Sequence, residues 1–228
     1  LVTLITFLLR PKIVIVSVPE IEQVYASYIG ARLIGAKFIV DIRDPAEEYY
    51  VLMDGRGLSR RFYELMKHLN FAIYRRADAV VTVTRGLVKY LASQGVRAFL
   101  IPNGADTGIF RPYQNREKIR KMLGLEHSVR VIAFSGRLGT YYKMDHLLRA
   151  LAKTISKYSF IKNKVRVLLV GEFIDYDHFK AFTRLVKALN MEGLVINLGI
   201  IKSPRRLAQI LSACDIGLIP RIDDPFFD

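Results

Sequence analysis

Short runs of β-branched residues, each followed by an amphipathic stretch, recur along nearly all of this 228-residue chain and restrict what it can fold into. Residues 12–18 (KIVIVSV), 37–42 (KFIVDI), 79–83 (AVVTV) and 98–101 (AFLI) are apolar throughout rather than alternating, the pattern of strands buried in a parallel sheet. Between them the spacing predicts helices. One covers 60–75, with Ser59 as N-cap and Phe62, Leu65, Met66, Leu69 and Ile73 on one face; another covers 85–93, capped by Thr84 and stopped by Gly95. The second half repeats the logic, with strands at 130–134, 165–170, 195–198 and 215–219 and helices at 145–158, 179–189 and 205–214. Such alternation implies right-handed βαβ crossovers and parallel sheets covered on both faces, an α/β fold.

A break separates the halves. Pro102-Asn103-Gly104 ends a strand, Phe110-Arg111-Pro112 follows, and no periodicity lies between them. The linker is therefore placed at 102–112. The organisation expected is an incomplete N-terminal domain over 1–104, a linker with a connecting helix over 105–128, and a C-terminal domain over 129–228. Two open α/β domains facing each other would put the carboxyl ends of both sheets on a shared cleft, where such sheets usually bind ligands.

Composition narrows the function classes. Apolar residues make up 51% and charged residues 25%, a globular balance. The net charge of +14 is distributed: 15 basic and 10 acidic residues lie up to Tyr113, and 20 and 11 beyond it. A spread excess suits phosphate-bearing ligands or an anionic membrane surface better than nucleic acid, for which no recognition helix, aromatic platform or arginine-rich tail is present. The single cysteine, Cys214, has no partner for an internal disulfide, which points to a reducing, cytoplasmic setting. The apolar opening, residues 1–9, is stopped by Arg10-Pro11-Lys12 well short of a membrane span, and reads as the tail of a helix beginning outside this sequence. The four histidines, His68, His127, His146 and His178, lack metal-ligand spacing.

The stretch richest in chemistry is the strand at 129–135 followed by Gly136-Arg137-Leu138-Gly139-Thr140-Tyr141-Tyr142-Lys143 and a helix opening near Asp145. Glycines let a backbone approach a ligand closely, Arg137 offers a bidentate fork, Lys143 a mobile point charge, and a helix start the positive end of a dipole. Together they suit a diphosphate, although a solvated loop is an equal reading of the residues alone. Asp175-Tyr176-Asp177 has the spacing of a carboxylate metal motif but reads as a solvated loop. The basic run Arg60-Arg61, Lys67, Arg75-Arg76 is either a solvated helix face or a surface for anionic lipid heads.

The order of several segments carries a resemblance. Residues 77–91 (ADAVVTVTRGLVKYL), 102–112 (PNGADTGIFRP), 135–148 (SGRLGTYYKMDHLL), 168–172 (LLVGE) and 213–220 (ACDIGLIP) follow one another as in the retaining, nucleotide-sugar-dependent glycosyltransferases of family 4, whose fold is GT-B, two Rossmann-like domains facing a cleft. The resemblance implies that Arg137 and Lys143 hold the donor's diphosphate and neutralise the leaving group without a metal ion, and that Gly136, Gly171 and Gly199 are donor-side backbone positions. Plain turns are the other reading of Gly171 and Gly199. Asp41-Ile42-Arg43-Asp44-Pro45 resembles an Arg-Asp variant of the family's N-domain loop, with Arg43 where many members have a histidine. Asp41, Arg43 and Asp44 are thus acceptor-side candidates, and Asp44 joins Arg137 and Lys143 as a catalytic candidate; capping the next helix is the plainer reading of the aspartates.

Two family features are not found in this sequence: a glycine-rich N-terminal loop, and a pair of glutamates separated by seven residues beyond 215–220. The expectation is accordingly a GT-B glycosyltransferase lacking part of both ends. It would take a UDP- or GDP-type sugar as co-substrate and no other cofactor, transfer the sugar with retention to a carbohydrate or lipid-linked acceptor, and touch an anionic membrane peripherally if at all. A nucleotide-binding module without turnover and a sugar-nucleotide epimerase of the same architecture are the alternatives.

Overall fold

The computed structural model describes residues 1–18, 21–46, 48, 58–139 and 141–221. Two compact units divide after Gly104, inside the expected linker, and the second runs from Ala105. The connecting helix, α5 (Arg116–Met122), belongs to that second unit.

In the first unit, β1 (Ile13–Val18), β2 (Lys37–Ile42), β3 (Ala79–Thr82) and β4 (Phe99–Leu100) form a parallel sheet in the order β1-β2-β3-β4. Helices α1 (Val2–Leu9), α2 (Ile21–Ile34), α3 (Leu58–Tyr74) and α4 (Arg85–Ser93) complete it. Successive strands step in one direction, so right-handed crossovers place the connecting helices on one side. Burial follows that geometry. Val16 and Val18 of β1, Phe38, Val40 and Ile42 of β2 and Val80 of β3 are buried together with Val24 and Ala31 of α2 and Phe71 and Tyr74 of α3. On the other side Ile13 and Ile15 are 53% and 65% exposed. The expectation of cover on both faces is thus corrected for this sheet: its strands are buried on one face, and the opposite face of β1 meets solvent.

Helix starts and stops match local chemistry. Thr84 is the N-cap of α4 and its hydroxyl accepts from the Leu87 N–H at 3.1 Å. Ser59 lies inside α3, which already includes Leu58, so it does not precede the helix as expected; its side chain lies outside the described residues. The apolar stripe of α3 also departs from expectation. Asn70, Phe71, Ile73 and Tyr74 face inward, whereas Phe62, Leu65 and Leu69 are 56%, 57% and 44% exposed.

The second unit holds β5 (Arg130–Ser135), β6 (Val165–Val170), β7 (Val195–Asn197) and β8 (Ile216–Gly217), all parallel, in the order β7-β6-β5-β8. Its helices are α5, α6 (Met144–Lys157), α7 (Tyr176–Ala188) and α8 (Pro204–Ser212), with a 3₁₀ turn at Ser159–Asn163. Here both faces are covered. Val167 and Leu169 pack with Leu148 and Leu151 of α6 and Val186 of α7, while the alternate residues Leu168 and Val170 pack with Ile210 of α8. That two-sided burial explains why residues 165–170 read as one continuous apolar run. The Asp175 carboxylate accepts from the His178 N–H at 2.8 Å, capping α7; the Asp-Tyr-Asp segment is a helix start, not a solvated loop.

At the amino end of β8, Asp215 ties the unit together. Its carboxylate accepts from the Val131 N–H at 2.8 Å, from Arg116 at 2.7 Å and from Arg130 at 3.2 Å, and Arg120, 2% exposed, lies 3.4 Å away. Arg120 also donates to the carbonyls of Ala213, Glu126 and Val129, so α5 is pinned to the sheet by a buried guanidinium with several acceptors.

Candidate functional site

Strand order in the second unit reverses at β5: the chain steps from β5 through β6 to β7, then returns to place β8 on the other side of β5. Open α/β sheets bind ligands outside the carboxyl ends of the strands at such a reversal. The segment 136–143 emerges there. Its backbone is pinned at several points. Gly136 donates to the Val170 carbonyl at 2.9 Å, Leu138 to that of Glu172 at 2.7 Å, and Ile174 returns a bond to Leu138 at 2.8 Å. At the far end the Lys143 N–H donates to the carbonyl of Pro220, just past β8, at 2.6 Å. The segment therefore bridges the loop after β6 and the loop after β8. Backbone bonds tie its described residues at both ends, while Arg137 and Tyr141 stay exposed. The Tyr142 ring packs edge-on against Phe134 with centroids 4.9 Å apart, and the Arg221 guanidinium stands 5.8 Å from the Tyr142 ring centroid.

The three candidate glycines meet along one edge. Gly136 follows β5, Gly171 follows β6 and Gly199 lies just past β7, with φ of 157°, 139° and 64°. The Gly171 N–H donates to the Gly199 carbonyl at 2.8 Å, and a Cβ on Gly171 would fall 1.9 Å from the Gly136 carbonyl oxygen. Only hydrogen fits at Gly171, so three strand ends close side by side. The resemblance had singled these positions out, and the structure supplies a packing reason for them.

Lys143 occupies the N-cap position of α6 without a side-chain cap bond. Its side chain lines a cleft of about 390 Å³ at the amino ends of α6 and α7. Arg149, Asp145 and His178 share that lining over an apolar floor that includes Leu138, Phe173 and Phe182. Arg137 is exposed and is not among the lining residues, so the structure brings Lys143 but not Arg137 into this cleft. Sequence reasoning missed Arg149. The available signal was its position on α6, within the amphipathic helix that follows the loop, but a surface arginine on a basic chain carries no motif.

In the first unit, Asp41 and Arg43 come together at the carboxyl end of β2. The Ser17 hydroxyl donates to the Asp41 carboxylate at 3.0 Å across the β1–β2 register, and Arg43 stands 3.9 Å from the same carboxylate. Arg43 also donates to the Asn103 side chain at 2.5 Å, linking this edge to the segment after β4. Asp44 lies two residues past β2, where its carbonyl accepts from the Ala46 N–H at 2.9 Å. In the sequence Asn103, followed by Gly104, reads only as a turn residue. Its role as partner of Arg43 depends on β4 lying beside β3, which no local pattern shows. Among the described residues no three His, Cys, Asp or Glu side chains gather as a metal site.

Comparison with known proteins bears on the fold. Residues 3–104 match the "Glycosyl transferase 4-like domain" family. A D-inositol 3-phosphate glycosyltransferase of Corynebacterium aurimucosum is 27% identical over 146 residues, covering 63% of this chain and 34% of the relative. Among solved structures, Anabaena HepE in complex with UDP-glucose superposes with a TM-score of 0.67 at 19% identity, over 89% of this chain and 52% of that one. Sucrose-phosphate synthase from Thermosynechococcus elongatus gives 0.69 at 20% identity, over 94% and 51%. This chain thus spans about half the length of those structures and about a third of the curated relative. The first unit thus matches a glycosyl transferase 4-like domain, and the two parallel four-stranded sheets share the fold of these glycosyltransferase structures.

Proposed function

We propose that this chain carries the donor-binding and part of the acceptor-binding framework of a transferase. The reaction would move a sugar from a nucleoside diphosphate sugar to an acceptor hydroxyl with retention of configuration. The observation that carries the reading is the pinned loop 136–143 at the strand-order reversal, with Lys143 held to the loop after β8 and Arg137 exposed beside it. Loss of a nucleoside diphosphate builds negative charge on the leaving oxygen. An ammonium at a helix start, with a guanidinium on the loop leading to it, would stabilise that charge, which a divalent ion would otherwise have to do. The HepE structure, bound to UDP-glucose, makes a UDP-type donor the first to test. Asp41, Arg43 and Asp44 would orient acceptor hydroxyls on a carbohydrate or lipid-linked acceptor, with Asp44 nearest the chemistry.

Titration calorimetry with UDP, GDP and UDP-glucose, with and without EDTA, tests the reading. Binding that survives EDTA and weakens by about tenfold or more in Arg137→Ala and in Lys143→Ala is expected, since a charged hydrogen bond to phosphate contributes about 1.5–3 kcal/mol. Affinity unchanged in both variants refutes it. Binding with no release of UDP from UDP-glucose, in the presence of acceptor extracts, identifies a nucleotide-binding module instead.

A further inference from the structure

We infer that the outward face of α3 docks on an anionic lipid bilayer, a role separate from the donor site and independent of it. Helix α3 has two apolar faces. The inner one, with Phe71 and Tyr74, is fully used in the first unit's core. The outer one, Phe62, Leu65 and Leu69, recurs at helical spacing and stays about half exposed. A helix with one apolar face already buried has no folding reason for a second, and an exposed apolar stripe with a polar frame marks an interaction surface.

The frame decides the partner. Arg61 stands exposed at the start of the stripe and Arg75 and Arg76 at its end. The Arg76 guanidinium folds back to donate to the Ala72 carbonyl at 3.0 Å, on the side of the helix that carries Leu65 and Leu69. Arg32 of α2, which stands 3.9 Å from the Asp78 carboxylate, reaches the Arg76 carbonyl and adds a third guanidinium at that end. Glu64, the one carboxylate in α3, lies off the stripe. Lys67 does not belong to this face, contrary to the sequence expectation. It donates to Glu48 at 2.5 Å, and Tyr90 donates to the same carboxylate. Burial works against ionisation of Glu48, but these hydrogen bonds prevail and hold its carboxyl below the ordinary range. Apolar groups flanked by arginines match the interface of a membrane with anionic headgroups: phenyl and leucyl groups enter the acyl boundary while guanidiniums remain among the phosphates. α1 exposes more apolar surface, Leu4 and Leu8 included, but it has a basic group only at its C-cap, Arg10 over the Phe7 ring, and no arginine at its start.

Co-sedimentation of the full chain with vesicles of phosphatidylcholine alone, or of phosphatidylcholine with phosphatidylglycerol, tests the proposal. Partition into the anionic vesicles at low salt should exceed that into neutral ones by about tenfold and fall as salt rises, because each arginine near the surface contributes about a fivefold effect. Phe62→Ser/Leu65→Ser/Leu69→Ser should cut partition by about tenfold or more, and Arg61→Gln by about fivefold. The thermal midpoint should be unchanged in both, since the altered side chains are exposed. Equal binding to both vesicle types, or a triple variant that partitions like the parent, overturns the proposal. So does a concentration-dependent dimer that the triple substitution abolishes in a chain showing no vesicle binding, which would assign the stripe to a second copy.

Discussion

A Cβ on Gly171 would stand 1.9 Å from the carbonyl oxygen of Gly136, and the same residue donates its N–H to Gly199 at 2.8 Å. The carboxyl ends of β5, β6 and β7 are therefore joined through backbone atoms alone, directly behind the loop that presents Arg137 and Lys143. A side chain at Gly171 cannot be relieved by rotation, because the obstacle is backbone and φ is 139°. Gly171→Ala should lower the stability of the second unit by about 2–4 kcal/mol, combining backbone strain with displacement of the Gly136 carbonyl. Urea denaturation followed by circular dichroism measures it. A loss under about 0.5 kcal/mol, the range of an ordinary surface substitution, would show that the edge can open at little cost.

Asp215 gives the second unit an acid-sensitive fastening. Burial opposes its ionisation, but the Val131 N–H and the Arg116 and Arg130 guanidiniums outweigh that and hold the carboxyl at about 2, against an ordinary 3.8. The folded state thus binds this proton less readily than the unfolded state. The resulting stabilisation is fully present above about pH 4 and is lost as pH falls towards 2. Asp215→Asn should remove that acid step and destabilise at neutral pH by about 2–4 kcal/mol, because Arg120 keeps its buried charge but loses the opposite one. Urea midpoints taken between pH 2 and pH 7 check both parts; an unaltered acid limb in the variant would show that other carboxylates set it.

Much of this fold was legible because strands packed in a parallel sheet leave near-continuous apolar runs, in β6 because both faces are buried and in β2 even though one face is only partly covered. Residues 37–42 and 165–170 matched their strands to the residue. Elements with weaker internal signals were less sharp: β8 holds only Ile216 and Gly217 of the expected 215–219, although the Asp215 and Leu218 N–H groups still donate to the Val131 and Ala133 carbonyls of β5. The error at α3 has a different cause. Its outer stripe and its inner face are both apolar, and periodicity reports a face without saying which one the sheet takes. The placement of a loop between strand and helix was legible where glycine and charge share a short segment, as at Gly136 and Lys143. It was not legible for Arg149 and Asn103, whose neighbours come from chain segments far away in sequence.

Cys214 makes a direct probe of packing beneath α8. Burial, helped by the Asp215 carboxylate, raises its thiol to about 11, and its sulfur lies 3.3 Å from the Ile210 carbonyl. With one cysteine in the chain, labelling reports this site alone. At pH 8 the thiolate fraction falls roughly a hundredfold below that of an ordinary thiol, so reaction with a disulfide reagent should be slower by about that factor in the folded chain and normal in urea. Comparable rates in the two conditions would mean that α8 opens readily.

Tyr142 should separate loop placement from fold stability. Its ring lies 4.9 Å from Phe134 and 5.8 Å from the Arg221 guanidinium, one residue before Lys143, so the ring rather than the hydroxyl fixes where the ammonium starts. Tyr142→Phe keeps those contacts and should hold nucleotide affinity within about twofold, a few tenths of a kcal/mol. Tyr142→Ser frees the segment without touching the Lys143 charge. It should weaken nucleotide binding by about tenfold, near 1.4 kcal/mol, through loss of preorganisation. Calorimetry on both variants, with thermal melts as a control, distinguishes the outcomes. If the serine variant binds nucleotide like the parent while melting normally, Lys143 is positioned by its backbone bond to Pro220 alone, and the aromatic contacts serve only the core.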